Sequence, residues 1–171
     1  MRLRRKVCLL GAPGVGKTSL ARRLAEDAFD AAYESKLSMA IFKGELEMEN
    51  VSLEMMLWDP GGTEAWGQYN RSFISGASGL VFIVDATEPR TLDHLLQAQT
   101  KGRGCIGSRP SVLIVNKIDL TRDFALTKQQ LDAAGLANWY IAQASAKSGY
   151  NVAEAFERLA KMMLEARKVS A

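Results

Sequence analysis

The stretch GAPGVGKTSL, residues 11–20, decides the fold. Two glycines separated by four residues precede a lysine and a threonine, which is the GxxxxGK[ST] pattern of a phosphate-binding loop. Glycine lets backbone N–H groups converge on a phosphate without a Cβ clash. We expect Lys17 to place its charge between the β- and γ-phosphates, and Thr18 to offer its hydroxyl to Mg²⁺. The apolar run before the loop (6–10) and the helical periodicity after it predict strand, loop and helix, the context in which this pattern binds phosphate.

Strand-like and helix-like stretches alternate along the rest of the chain. The segments 79–85 and 111–117 are continuous apolar runs, typical of strands buried on both faces. Residues 39–48 and 51–58 predict a hairpin. The remaining predicted elements are helices beginning near Thr91, at Thr127 and after a cap at Asn151, and a short strand at 139–145. This alternation predicts an α/β fold with helices on both faces of a mostly parallel sheet, in which ligands bind beyond the carboxyl ends of the strands.

Length and composition exclude several classes of protein. The 171 residues suit a single domain over 1–171. The formal net charge of +3 is mild, so we expect no nucleic-acid surface. No apolar run reaches the roughly 18 residues of a membrane span. Cys8 and Cys105 show no paired spacing, and Cys8 is interpreted as a core residue. His94 is the one histidine, which leaves a His-based metal site or triad without its residues.

The motif NKID identifies the base, which the phosphate loop alone leaves open. Its last residue, Asp119, can accept from N1–H and the exocyclic amine of guanine, whereas adenine offers an acceptor at N1 and no 2-amino group. We expect Asn116 to brace the loops and the stem of Lys117 to lie along the purine face. The SAK motif (145–147) follows the next strand, where the N–H of Ala146 is expected to contact guanine O6.

Between Lys6 and about Leu164, the motifs GAPGVGKTS, WDPGGTE, NKID and SAK resemble, in order, those of a small GTPase of the Ras/Rab type. The resemblance implies a P-loop GTPase fold, with a six-stranded sheet, one antiparallel edge strand and about five helices. It also implies a GTP/GDP cycle with Mg²⁺. Effectors, exchange factors and GTPase-activating proteins would bind two switch segments near 30–44 and 59–75. The residues assigned to the nucleotide are Gly11, Ala12, Pro13, Gly14, Val15, Gly16, Lys17, Thr18, Ser19, Phe29, Asn116, Lys117, Asp119, Ser145, Ala146 and Lys147.

Three of the family's features fall on single residues of this chain. The segment WDPGG matches the family's DxxG box. The resemblance implies that Asp59 supports the Mg²⁺ site through a water molecule and that the Gly62 N–H binds the γ-phosphate until hydrolysis removes that group and the segment relaxes. Phe29 lies where the family places an aromatic ring against guanine, a core position being the alternative. Trp66 is either an anchor for a partner or a packed aromatic.

The first switch departs from the family at its metal ligand. Counting from Thr18 or from Asp59 places Lys36 where the family has a threonine, and an ammonium cannot ligate Mg²⁺. Ser38 is the preferred substitute ligand, with Ser35 as the alternative. Lys36 is then either a solvated lysine or a charge near the γ-phosphate.

The catalytic residues depart as well. Thr63 replaces the glutamine that orients the attacking water, and its side chain is shorter. Pro13 lies at a position that is often glycine, where it obstructs a partner's arginine or only stiffens the loop. Arg71, the nearest arginine of the second switch, is expected on a helix face. Catalysis is assigned to Lys17 and Gly62 with a weak contribution from Thr63, so slow hydrolysis is expected.

These motifs leave three hypotheses for function. The first is a GTP/GDP switch that hydrolyses GTP slowly. The alternative, which Thr63 and Lys36 favour, is a non-hydrolysing GTP-binding scaffold. The third is a P-loop ATPase or kinase, against which NKID argues. Because the final stretch EARKVSA has no cysteine and the chain starts Met-Arg, we expect no lipid anchor. Separately, we expect the protein to be a cytoplasmic monomer.

Overall fold

The structure is a computed structural model. It describes residues 1–25, 39–48, 50–61, 71–96, 107–121, 135–136 and 139–169, with the backbone alone at 71 and 167–169.

Six strands form one sheet in the order β2-β3-β1-β4-β5-β6. Their bounds are β1 (Arg2–Leu10), β2 (Ala40–Met48), β3 (Val51–Asp59), β4 (Gly79–Asp85), β5 (Ser111–Asn116) and β6 (Tyr140–Gln143). Only β2 is antiparallel to its neighbour, pairing with β3 from Ala40 opposite Asp59 to Met48 opposite Val51. The other neighbours are parallel. Both the mostly parallel sheet with one antiparallel edge strand and the predicted hairpin are confirmed.

Four α-helices lie in the described part of the chain. They are α1 (Lys17–Ala25), α2 (Arg71–Ile74), α3 (90–96) and α4 (Val152–Val169). About five were expected, and the helix predicted from Thr127 lies outside the described residues. No helix within the described ranges is long and apolar enough to cross a membrane.

Side chains alternate across the sheet and build a core on each face. On β1, Val7 and Leu9 belong to the core beneath α1 and α4, whereas Cys8 and Leu10 belong to the core on the opposite face. Every residue of β4 and β5 is buried, as expected for strands covered on both faces. Burial raises the pKa of the Cys8 thiol to about 12, so it is a neutral core residue, as interpreted from the sequence.

The start of α4 corrects one prediction. Asn151 precedes the helix with a left-handed φ of 55°, and its side-chain amide donates to the carbonyl of Gln143 at 3.0 Å. An N-cap residue has extended backbone and its side-chain oxygen accepts from the first turn. The predicted cap was therefore wrong, because Asn151 ties the end of β6 to the start of α4 instead.

Candidate functional site

Polar residues collect at one edge of the sheet, where the parallel strands end. β1 ends at Leu10 and is followed by the phosphate loop (11–18), while β3, β4 and β5 end at Asp59, Asp85 and Asn116. Each of these three polar side chains is buried. A polar group without a hydrogen-bond partner is costly to bury. The hydrogen-bond partners of these three side chains therefore determine which ligands this edge of the sheet can bind.

The phosphate loop is shaped by glycine backbone. Gly16 has a φ of 99°, and a Cβ built there would lie 2.2 Å from Nδ2 of Asn116. No other residue type fits this position without displacing Asn116. The first turn of α1 follows directly, with the N–H of Leu20 donating to the carbonyl of Gly16 at 2.9 Å. The unpaired N–H groups at such a helix start favour an anion.

Lys17 supplies the positive charge of the loop. Its side chain is only 6% exposed, and its Nζ donates to the carbonyls of Gly11 at 2.9 Å and Ala12 at 3.1 Å. Burial lowers the pKa of Lys17, and the nearby charge of Asp59 opposes this shift. The ammonium of Lys17 is buried and is held mainly by carbonyl oxygens, so an anionic phosphate would stabilise its charged form.

Two oxygen ligands suited to a hard cation meet beside this lysine. The hydroxyl of Thr18 donates to one carboxylate oxygen of Asp59, and the other accepts from the N–H of Gly61 at 3.1 Å. Asp59 is 1% exposed. Within the described residues there is no group of three or more His, Cys, Asp or Glu side chains that could hold a metal. A hydroxyl and a carboxylate are the kind of oxygen ligands that Mg²⁺ uses, one or two at a time, together with phosphate and water.

Asn116 joins the phosphate loop to the loop after β6. Its amide nitrogen donates to the carbonyl of Val15 at 2.9 Å, and its amide oxygen accepts from the N–H of Ala146 at 3.0 Å. The sequence predicted a bracing role for Asn116. It did not predict that Asn116 takes up the Ala146 N–H, the group expected to face guanine O6.

Asp119 lines a cavity of about 560 Å³. One of its carboxylate oxygens accepts from the hydroxyl of Ser145 at 2.7 Å, and that hydroxyl accepts from the N–H of Ser148 at 3.1 Å. Gly16 and Lys147 line the same cavity, so phosphate-loop and SAK residues share it. A carboxylate held on one oxygen suits the recognition of adjacent N–H donors.

Asp85 is a site residue that sequence reasoning missed. Lys117 has a left-handed φ of 67°, and its Nζ lies 2.5 Å from a carboxylate oxygen of Asp85. The other oxygen accepts from the N–H and hydroxyl of Thr87 at 2.8 and 2.7 Å. Burial by itself would raise the pKa of Asp85, but these hydrogen bonds outweigh it and hold the pKa below its usual value. The available signal was an acid at the end of a buried apolar run, as at Asp59.

Arg23 was missed as well. It extends from α1 to the SAK loop, where it donates to two backbone carbonyls. No sequence pattern connects residues so far apart along the chain.

The remaining residues assigned from the sequence lie on the phosphate loop, on helices or outside the described residues. Pro13 and Ser19 are exposed on the phosphate loop and on α1, and Arg71 is the first residue of α2. The assignments that fall outside the described residues are Phe29, Ser35, Lys36, Ser38, Gly62, Thr63 and Trp66.

Comparison with known proteins adds an independent finding. The sequence model of the Ras family matches residues 6–165. "Ras-related protein Rab-13" of Mesocricetus auratus is 30% identical over 162 residues, 93% of this chain and 79% of that protein. "Ras-related protein Rab-12" of Homo sapiens is 28% identical over 163 residues, 94% and 67% of the two chains. "Ras-related protein Rab-1" of Theileria annulata is 27% identical over 161 residues, 92% and 73% of the two chains. The matched stretch includes every strand end described above.

Proposed function

This chain belongs to the Ras family, and on that premise we propose that it is a guanine-nucleotide switch that binds GTP and GDP with Mg²⁺ and hydrolyses GTP slowly. The six-stranded sheet and its covering helices are those of a P-loop GTPase. The observation that carries the proposal is the double contact of Asn116, which ties Val15 of the phosphate loop to Ala146 of the SAK loop beside a cavity that both loops line. A nucleotide carries phosphates for the first of these loops and a base for the second.

The phosphate half of the site would be held by the chain's own donors. The backbone N–H groups of residues 11–18 and the ammonium of Lys17 would bind the β- and γ-phosphates. Thr18 would ligate Mg²⁺ directly, Asp59 through water, and Ser38 is our candidate for the ligand from the first switch. When bound, Mg²⁺ supplies charge that offsets the phosphate oxygens.

The base half would select guanine. Asp119 would accept from N1–H and the 2-amino group, and the backbone of the SAK loop would donate to O6. The pairing of Asp85 with Lys117 supports this arrangement, because it restrains the side chain expected along the purine face. A site built to pair polar groups of one ligand can reject an analogue that lacks them by about 10⁴–10⁵.

Hydrolysis would proceed by in-line attack of water on the γ-phosphorus. The bond between that phosphorus and the bridging oxygen breaks, and GDP and phosphate are released. Lys17 and the Gly62 N–H would stabilise the charge on the transferred group. Thr63 is too short to orient the water as glutamine does, so we expect an intrinsic rate at or below the roughly 3–5 × 10⁻⁴ s⁻¹ of unaided Ras.

The proposed setting is that of a regulated switch. Residues 30–44 and 59–75 would respond to the γ-phosphate and bind effectors, exchange factors and GTPase-activating proteins. We propose that residues 1–171 work as one cytoplasmic domain in monomeric form.

Single-turnover hydrolysis of bound GTP with Mg²⁺ tests the proposal, beside a Lys17→Ala control. Slow conversion to GDP that is absent in the control is the expected result. Tight GTP binding without any GDP would instead favour the non-hydrolysing scaffold, because Thr63 and Lys36 would then have removed the chemistry. Absence of guanine-nucleotide binding would contradict both.

A further inference from the structure

We infer that Arg23 is a specificity-positioning residue, which holds the SAK loop in the orientation that reads the carbonyl O6 of guanine. The inference rests on the proposed guanine-nucleotide binding. The inference extends that proposal to a residue outside the four motifs. Arg23 lies on α1, the helix that begins with Lys17.

Two charge-assisted hydrogen bonds join α1 to the SAK loop. The Nε of Arg23 donates to the carbonyl of Ala146 at 3.0 Å, and its Nη2 donates to the carbonyl of Lys147 at 2.6 Å. The stem of Arg23 also lies beside Gly149, where an added Cβ would be 3.6 Å from its Cδ. The guanidinium therefore fixes consecutive peptide groups of a loop that is 123 and 124 residues distant in sequence.

The orientation of one peptide group follows from these hydrogen bonds. A trans peptide is planar, so its N–H points away from its carbonyl. Because Arg23 holds the carbonyl of Ala146, the N–H of Lys147 points to the side opposite the guanidinium. That N–H has no hydrogen-bond partner among the described residues, whereas the N–H of Ala146 is used by Asn116. Arg23 thus leaves a backbone donor of the loop ready for an acceptor such as O6.

The chemistry of the interaction requires arginine. A guanidinium offers several donors in a rigid plane, which suits two adjacent carbonyls, whereas an ammonium is a point charge on a flexible stem. The neighbouring Arg22 provides the matched control. It is exposed, lines the same cavity and has no hydrogen bond to the SAK loop among the described residues.

The experiment compares the affinities of three diphosphates for the full chain with Mg²⁺. GDP is the reference, 6-thio-GDP carries sulfur in place of O6, and IDP lacks the 2-amino group expected to face Asp119. For Arg23→Met we expect GDP affinity to fall about tenfold, the value of one hydrogen bond, and 6-thio-GDP affinity to fall much less. The preference for GDP over 6-thio-GDP then shrinks, while the preference for GDP over IDP is unchanged. Arg22→Met removes a charge from the same cavity without touching the SAK loop, so we expect it to change the three affinities by a common factor and to leave both preferences as they are.

Each other outcome overturns the inference. If Arg23→Met lowers the affinities for GDP and 6-thio-GDP equally, or lowers neither, Arg23 does not position the backbone N–H that donates to O6. Should that variant fail to fold, Arg23→Lys provides the test, because lysine keeps the positive charge but lacks the rigid plane of donors. We expect an intermediate preference for it, and a preference equal to that of the unmodified chain would reject the inference. If the unmodified chain binds no GDP, the proposed function fails too, whereas binding with unchanged preferences rejects this inference alone.

Discussion

At the scale of single residues, Gly14 and Gly16 show that two glycines of one loop can be required for different reasons. Both have positive φ, 80° and 99°. A Cβ at Gly14 would have no atom within 4 Å, whereas one at Gly16 would lie 2.2 Å from Nδ2 of Asn116. The first position therefore needs glycine for its backbone conformation alone. The second also needs it because Asn116 crosses directly over the loop.

We predict that Gly16→Ala destabilises the nucleotide-free protein more than Gly14→Ala does. A left-handed conformation costs an L-residue roughly 1–2 kcal/mol, and this strain is common to both variants. Only Gly16→Ala also displaces Asn116. Urea unfolding of the two variants measures the difference.

The same measurement in an Asn116→Ala background isolates the clash. With the amide removed, Gly16→Ala should cost no more than Gly14→Ala. An equal cost for the two glycine variants in the unmodified chain would show that Asn116 moves aside freely.

At the scale of elements, the sequence predicts strands better than the contacts between their ends. The runs that became β4 and β5 are recognisable because both faces of these strands are buried. Their parallel register, with Asp85 opposite Asn116, is set by the assembled sheet rather than by either segment. The pairing of Asp85 with Lys117 depends on that register, so the sequence alone could not predict it. For the same reason Asn151 looked like a cap, because only the folded chain brings the carbonyl of Gln143 within its reach.

The ion pair between the ends of β4 and β5 gives a prediction with a defined pH dependence. Asp85→Asn should lower the unfolding free energy near neutral pH by about 1–3 kcal/mol, because it leaves Lys117 without its charged partner. The folded-state pKa of Asp85 lies below its ordinary value of 3.8. Its stabilisation is therefore fully present well above pH 3.8 and is lost as the pH falls through the folded pKa. The difference between the two proteins should shrink over that acidic range, which denaturant titrations at several pH values can measure.

Asp93→Asn is the matched control for this prediction. Asp93 is an exposed aspartate of α3 with no hydrogen bond among the described residues, so its change should have little effect at any pH. A difference between Asp85→Asn and the unmodified chain that stayed constant down to low pH would argue that the carboxylate charge is not the cause.

At the scale of the whole molecule, the candidate site exists only when the sheet is complete. The hydrogen bond from Asn116 to Val15 joins residues 101 apart, and that from Thr18 to Asp59 joins residues 41 apart. The four motifs could be found in the sequence because each is local. Their convergence depends on the strand order, in which β1 lies between β3 and β4. Residues of the phosphate loop, NKID and SAK line one cavity, and Asp59 of WDPGGTE contacts Thr18 of the phosphate loop. A nucleotide bound there should therefore stabilise the whole fold rather than one loop.

This coupling gives the last prediction. GDP with Mg²⁺ should raise the unfolding free energy by about 4.1 kcal/mol when the free nucleotide is at 1,000 times its Kd, and ADP should raise it far less. Asp119→Ala should remove most of the difference between the two nucleotides, because Asp119 would accept from N1–H and the 2-amino group of guanine. Lys17→Ala should reduce the stabilisation by GDP, because the variant loses its contact with the phosphates. Any remaining preference for GDP over ADP should be unchanged. Thermal unfolding of the three proteins with each nucleotide measures these effects, and equal stabilisation of the unmodified chain by ADP and GDP would contradict recognition of guanine by this site.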